Sequence, residues 1–149
     1  MKKVSLWVLM LALVFVVSAV SAQAGVLLKG SIPVGNVFTT LSRVYMDKNP
    51  EAVVKVEFDL LLKAQDKVLA GEADAVMVTD QYYKELKTDM LKFTPIAKRV
   101  VTRDGKIVRY NTYGIAAVKI SPELQKFLNF ISSADGKAVL KSIPNVDPL

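Results

Sequence analysis

The stretch DLLLKAQDKVLAGEADAVMVTD, residues 59–80, limits the fold more than any other part of this chain. Leu61, Ala64, Val68 and Leu69 recur at helical spacing, so the spacing predicts a helix over Leu60–Ala70, with Asp59 able to cap it. Gly71 follows as a left-handed stop. The next run, Ala73 to Val78, is apolar apart from Asp74, which predicts a short strand buried on both faces. A helix leading directly into such a strand is half of a crossover connection, and crossovers join parallel strands.

The chain before this stretch supplies the other half. Val26–Leu28 reads as a first strand, with Gly30 opening a loop that turns through Pro33 and Gly35. Val37, Phe38, Leu41, Val44 and Tyr45 share a helical face, with Asn36 as the expected N-cap and a stop at Asn49-Pro50. Val53 to Phe58 is rich in β-branched residues and predicts the second strand. Asp80 should begin a more polar helix running to about Lys87. The order β-α-β-α-β-α predicts an α/β fold with a mostly parallel sheet and helices on both faces. In such sheets, ligands gather where the carboxyl ends of strands converge.

After Leu91 the pattern changes. Residues 93–101 read as extended, Asp104-Gly105 is a hairpin turn signal, and residues 107–110 return. Tyr113–Val118 reads as a further strand. Ser121-Pro122-Glu123 is a helix start, with a capping hydroxyl, proline in the first turn and an acid at the positive end of the dipole. Leu124, Phe127, Leu128 and Ile131 form its apolar face, a short helix covers about Ala134–Lys141, and the tail from Pro144 reads as irregular.

Lys2 and Lys3, an apolar run from Val4 to Val17 and Ala22-Gln23-Ala24 have the form of a cleavable signal peptide over residues 1–24. That predicts export to the periplasm or beyond and a single domain over residues 25–149, with no membrane span once the signal is removed. There is no cysteine for a lipid anchor, disulfide or thiolate, and no histidine to serve as general base or metal ligand. Zinc chemistry and a Ser-His nucleophile are thereby excluded, no dense oxygen cluster suggests calcium, and no cofactor motif is present. The net charge is +6, or +4 without Lys2 and Lys3. So modest a balance reads as a solvated surface and gives no case for nucleic acid.

Several segments, in order, resemble the periplasmic solute-binding proteins of ABC transporters, the phosphate and molybdate type in particular. They are Gly30-Ser31 after the first strand, Tyr45 to Pro50 closing the first helix, Val68 to Met77, Tyr113 to Val118, and Ser121 to Leu140. The resemblance implies a single lobe of that fold, with a hairpin at about Val100–Asn111 standing where the family inserts its second lobe. It also implies ligand-binding positions at Gly30, Ser31, Asn36, Thr79 and Asp80. This chain departs from the pattern there. Ile32-Pro33 replaces further donors, Leu60–Lys63 replaces a Ser/Gly-rich loop, and Asp80 places a carboxylate where the family has a cation. Thr79 and Asp80 also suit a helix cap. Glu72 and Asp74 read as solvated carboxylates flanking a turn.

These features predict binding rather than catalysis. One expectation is capture of a small oxyanion for an ABC permease, with a dimer or partner needed to close an otherwise wet cleft. The alternative is a scaffold or interaction protein derived from such a lobe, its former cleft now meeting a protein partner.

Overall fold

The computed structural model describes residues 25–149; the expected signal peptide lies outside the described residues. Strand β1 (Val26–Gly30), helix α1 (Ile32–Lys48), β2 (Val54–Phe58), α2 (Leu61–Leu69), β3 (Ala75–Thr79) and the single turn α3 (Asp80–Tyr83) come first. A long hairpin of β4 (Lys92–Arg103) and β5 (Lys106–Ala117) follows, then α4 (Pro122–Ser132), α5 (Ala134–Ser142) and β6 (Val146–Pro148).

The six strands form one sheet in the order β2-β1-β3-β5-β4-β6. Its first half is parallel, as the crossover reasoning requires: β1 pairs with β2 and with β3 in parallel. Its second half is antiparallel, because a hairpin needs no crossover. The expectation of a mostly parallel sheet therefore holds only across β2-β1-β3. Two of the short strands expected after Leu91 are the two ends of β5, and the tail is not irregular. Val146–Pro148 adds an edge strand to β4.

Alternation along the strands sorts side chains into two cores. Val26, Leu28, Ala75, Met77, Tyr113, Ile115 and Ala117 face α1, α4 and α5, meeting Phe38, Leu41, Leu124, Phe127 and Leu140. Val76, Val78 and Ala116 face the other way onto Ala64 and Val68 of α2, and onto Leu91. Both faces of β3 are filled, and all five of its residues are buried. Each fully buried Leu or Phe in these layers contributes about 1.5–3 kcal/mol. Tyr45 packs between the rings of Phe127 and Phe130, each centroid 5.3 Å away. Burial, with Glu51 adding a smaller repulsion, raises its phenol above the usual tyrosine range.

Local signals explain most element ends. Gly71 sits at φ 75° and Gly105 at 72°, with Asp104 at 53°, so both turns use the left-handed region. Ser121 accepts the Leu124 N–H, Pro122 lies in the first turn, and Ser133 caps α5 through the Gly136 N–H. The opening of α1 differs from expectation. The helix starts at Ile32, with Ser31 as N-cap and Pro33 in its first turn, so the anticipated loop is already helical and Asn36 lies inside it. Proline at a helix start is favourable, since the N–H it lacks would have no intrahelical partner.

The helix expected from Asp80 to Lys87 is a single turn. Gln65, buried on α2, accepts the Lys87 N–H at 2.7 Å, and the Tyr83 hydroxyl donates to the Leu91 carbonyl at 2.7 Å. These bonds hold residues 84–91 as a loop against the second core, which a continued helix could not provide.

Candidate functional site

Register fixes where the strand ends meet. Gly30 on β1 lies beside Met77 on β3, so Ser31 and Thr79 leave the sheet at the same edge, on adjacent parallel strands. Gly30 is buried, and a Cβ there would collide with the Met77 carbonyl oxygen, so its lack of a side chain serves strand packing. Its carbonyl accepts the Asp59 N–H at 2.9 Å. Ser31 is half-buried and makes no side-chain capping bond. Thr79 is buried, and its hydroxyl accepts the Tyr82 N–H at 3.2 Å, capping α3. The Asp80 carboxylate accepts the Gln81 N–H at 2.9 Å and the Thr112 N–H at 3.1 Å, tying α3 to β5. Thr79 and Asp80 thus do the capping work that their residue types suit.

Asn36 has a different setting. It is exposed on α1 and lines an open groove of about 430 Å³ with Ile32, Pro33, Val37 and Thr40. The opposite wall is Arg99 and Tyr113 of the hairpin, and the floor is closed by Ile143, Pro144 and Val146. Of the five positions taken from the resemblance, Asn36 alone lines this groove. Arg99 is the one charged residue in the lining, and no carboxylate shares it. Its guanidinium donates to the Tyr113 hydroxyl at 2.7 Å, which steadies the side chain while leaving most of its five N–H donors uncommitted by that bond. The first turns of α1 contribute the adjoining wall, where the positive end of the helix dipole at Ile32 and Pro33 favours negative charge; Pro33 has no N–H, and those of Asn36, Val37 and Thr40 belong to the helix.

Sequence reasoning missed Arg99, Tyr113 and the 143–146 segment. Arg99 was one cation among several in an expected hairpin. Its position opposite α1 depends on the β4–β5 register, which shifts between Pro95 and Ala97. That irregularity turns both Ile96 and Ala97 into the same core, and nothing local in the sequence announces it.

The two carboxylates of the Gly71–Ala75 turn are bonded. Asp74 Oδ2 accepts the Leu27 N–H at 2.7 Å, while the Asp74 N–H donates to the Leu27 carbonyl at 2.9 Å. One residue therefore satisfies both backbone groups of Leu27 and starts the pairing of β3 with β1. Glu72 pairs with Lys67 one turn back, and this bond holds the Lys67 ammonium above the usual lysine range. Among the described residues no cluster of acids could hold a metal ion, and no helix is long and apolar enough to cross a membrane.

No protein-family model matches the sequence, and no curated protein is significantly similar to it. Solved structures with the same fold exist. The substrate-binding domain of a putative molybdenum ABC transporter from Clostridium difficile superposes with a TM-score of 0.54 at 10% identity, over 84% of this chain and 99% of that one. A mutant of the OxyR regulatory domain from Pseudomonas aeruginosa gives 0.52 at 11% identity, over 74% of this chain and 100% of that one. An ABC-type phosphate transport receptor from Vibrio cholerae gives 0.44 at 18% identity, and this chain spans only 31% of its length. The chain therefore has the α/β fold of a solute-binding-protein lobe, with a curled six-stranded sheet.

Proposed function

We propose that this protein binds a small oxyanion, phosphate-like in charge and size, in the groove between α1 and the hairpin, and that its work is capture rather than catalysis. The observation that carries this reading is the lining itself: a lone guanidinium, steadied by Tyr113, faces the first turns of a 17-residue helix with no acid beside it. Arg99 would bind two oxygens of the anion as a fork, with the Asn36 side-chain amide offering a neutral N–H; the Thr40 hydroxyl donates to the Asn36 carbonyl at 3.2 Å and would have to turn from it to contribute. This places the binding cation on the hairpin, not at the end of β3, where Asp80 would repel an anion. The fold shared with a substrate-binding domain supports the same reading. Export to the periplasm and delivery to an ABC permease belong to this proposal.

The groove is open, so the anion keeps part of its hydration and affinity is modest unless a dimer or a partner covers it. A thermal-shift screen with phosphate, sulfate, molybdate and tungstate tests the reading. A ligand at a hundredfold its Kd adds about 2.7 kcal/mol of stability. Absence of a shift with all four would favour the second reading, a protein-binding scaffold. Ile32 and Leu60, 61% and 71% exposed beyond the ends of β1 and β2, are the observation in its favour.

A further inference from the structure

The hairpin extends well past the sheet that anchors it. Pairing of β5 with β3 ends at Tyr113, and pairing of β4 with β6 ends at Arg99. Beyond the Val100 N–H, which donates to the Asn145 carbonyl at 2.9 Å, the two strands pair only with each other up to the Asp104-Gly105 turn among the described residues. A two-stranded ribbon in water is marginal by itself, yet this one exposes Ile107, Val108 and Tyr110 at 55%, 56% and 57%.

Its charge is equally one-sided. In the projecting part Arg103, Lys106 and Arg109 stand against Asp104 alone, a net +2, and Lys98 and Arg99 at its base bring the excess to +4. That equals the whole net charge of residues 25–149, so the rest of the described chain is neutral. The positive balance is therefore not a diffuse solvated surface, as composition alone implied, but a property of one arm.

The arm also offers backbone. Thr112 N–H points away from β4, where Asp80 accepts it. By strand alternation, the N–H and C=O of Tyr110 face the same outer edge, and no described strand pairs with them. We propose that this outer edge of β5, residues 107–111, accepts an extended acidic segment of a partner protein as an added strand. Main-chain bonds centred on Tyr110 would set its register. Lys106 and Arg109, which the register through the bulge at Val108 puts on one face, would pair with its alternating acids.

Other occupants fit less well. A second copy paired along the same edge would set cation against cation, which is destabilising across strands. A lipid surface would engage a face of the ribbon and leave the outer N–H and C=O of Tyr110 unpaired. The register through the bulge puts Ile107 and Tyr110 on one face and Lys106 and Arg109 on the other, which an added strand alternating apolar and acidic residues matches. This proposal is independent of the anion groove.

The test is fluorescence anisotropy with a labelled octapeptide alternating glutamate and valine, and with its glutamine-valine counterpart. Two variants of the full chain are used, Tyr110→Pro and the triple Arg103→Gln/Lys106→Gln/Arg109→Gln. Tyr110 opposes Val100 with its N–H turned outward, so proline removes the edge donor without taking a bond from β4. The acidic peptide should bind, shift the Tyr110 amide resonance of the unmodified chain, and lose about tenfold or more in affinity with either variant. The neutral peptide should bind more weakly than the acidic one. No binding at millimolar peptide overturns the proposal, as does binding with the Tyr110 amide unmoved. Co-sedimentation with phosphatidylglycerol vesicles that survives Tyr110→Pro but not the triple variant, without peptide binding, would assign the arm to a membrane surface instead.

Discussion

Replacing Asp74 with alanine would leave the Leu27 N–H facing the end of β3 without its acceptor. The carboxylate accepts that N–H at 2.7 Å, and the Asp74 N–H returns a bond to the Leu27 carbonyl at 2.9 Å. Alanine keeps the second bond and deletes the first. A hydrogen bond to a charged group contributes about 1.5–3 kcal/mol, and an orphaned, partly buried N–H costs about 1–3 kcal/mol. The Leu27 amide is only partly buried, so the loss should fall near 2 kcal/mol, or about 6 °C in Tm for a domain of this size. Asparagine retains an oxygen at the same place and should lose about half as much. Urea unfolding followed by circular dichroism measures this directly, with the slope unchanged because the native fold is the same. If alanine fell within about 0.5 kcal/mol of the parent, the range of an ordinary surface substitution, the reading of Asp74 as the link between β1 and β3 would be wrong. If asparagine were as damaging as alanine, charge rather than acceptor geometry would be responsible.

Gly30→Ala should destabilise by several kcal/mol, since its Cβ meets the Met77 backbone carbonyl and backbone cannot move aside as a flexible side chain can; an alanine variant of parental stability would contradict the packing described. Tyr45→Phe should flatten the alkaline end of the stability profile. The folded phenol is raised by burial and then by Glu51, so the unfolded chain loses its proton first. Stability from this group is whole below pH about 10 and declines as pH rises through the folded value. Equal alkaline losses in the parent and the phenylalanine variant, in urea titrations between pH 8 and about 11, would remove that assignment.

How much of this was legible beforehand depended on whether a feature is local. Gly71, Asp104-Gly105 and Ser121-Pro122 dictate their own backbone, and the helix and strand spacing around them gave the α/β class. Asp74 looked like a solvated turn acid because its partner, Leu27, is 47 residues away. Pro33 was read as part of a loop, although proline suits the first turn of a helix equally well. The candidate groove was the least legible feature. It requires the β4–β5 register, with its two irregularities, and an edge strand of three residues at Val146–Pro148 to bring Arg99 opposite α1. Thr79 and Asp80 lie at the strand edge where the crossover order put them, but their oxygens are spent on the α3 turn and on Thr112.

Isothermal titration of phosphate, sulfate and molybdate into the parent protein and into Arg99→Gln tests the central claim most directly. Tyr113→Phe serves as a control that keeps the guanidinium and removes its support. The groove account predicts saturable heat for at least one oxyanion in the parent, its loss in Arg99→Gln, and weakened binding in Tyr113→Phe. Saturable binding that is unchanged in Arg99→Gln, or no binding by the parent to any of the three, would contradict it.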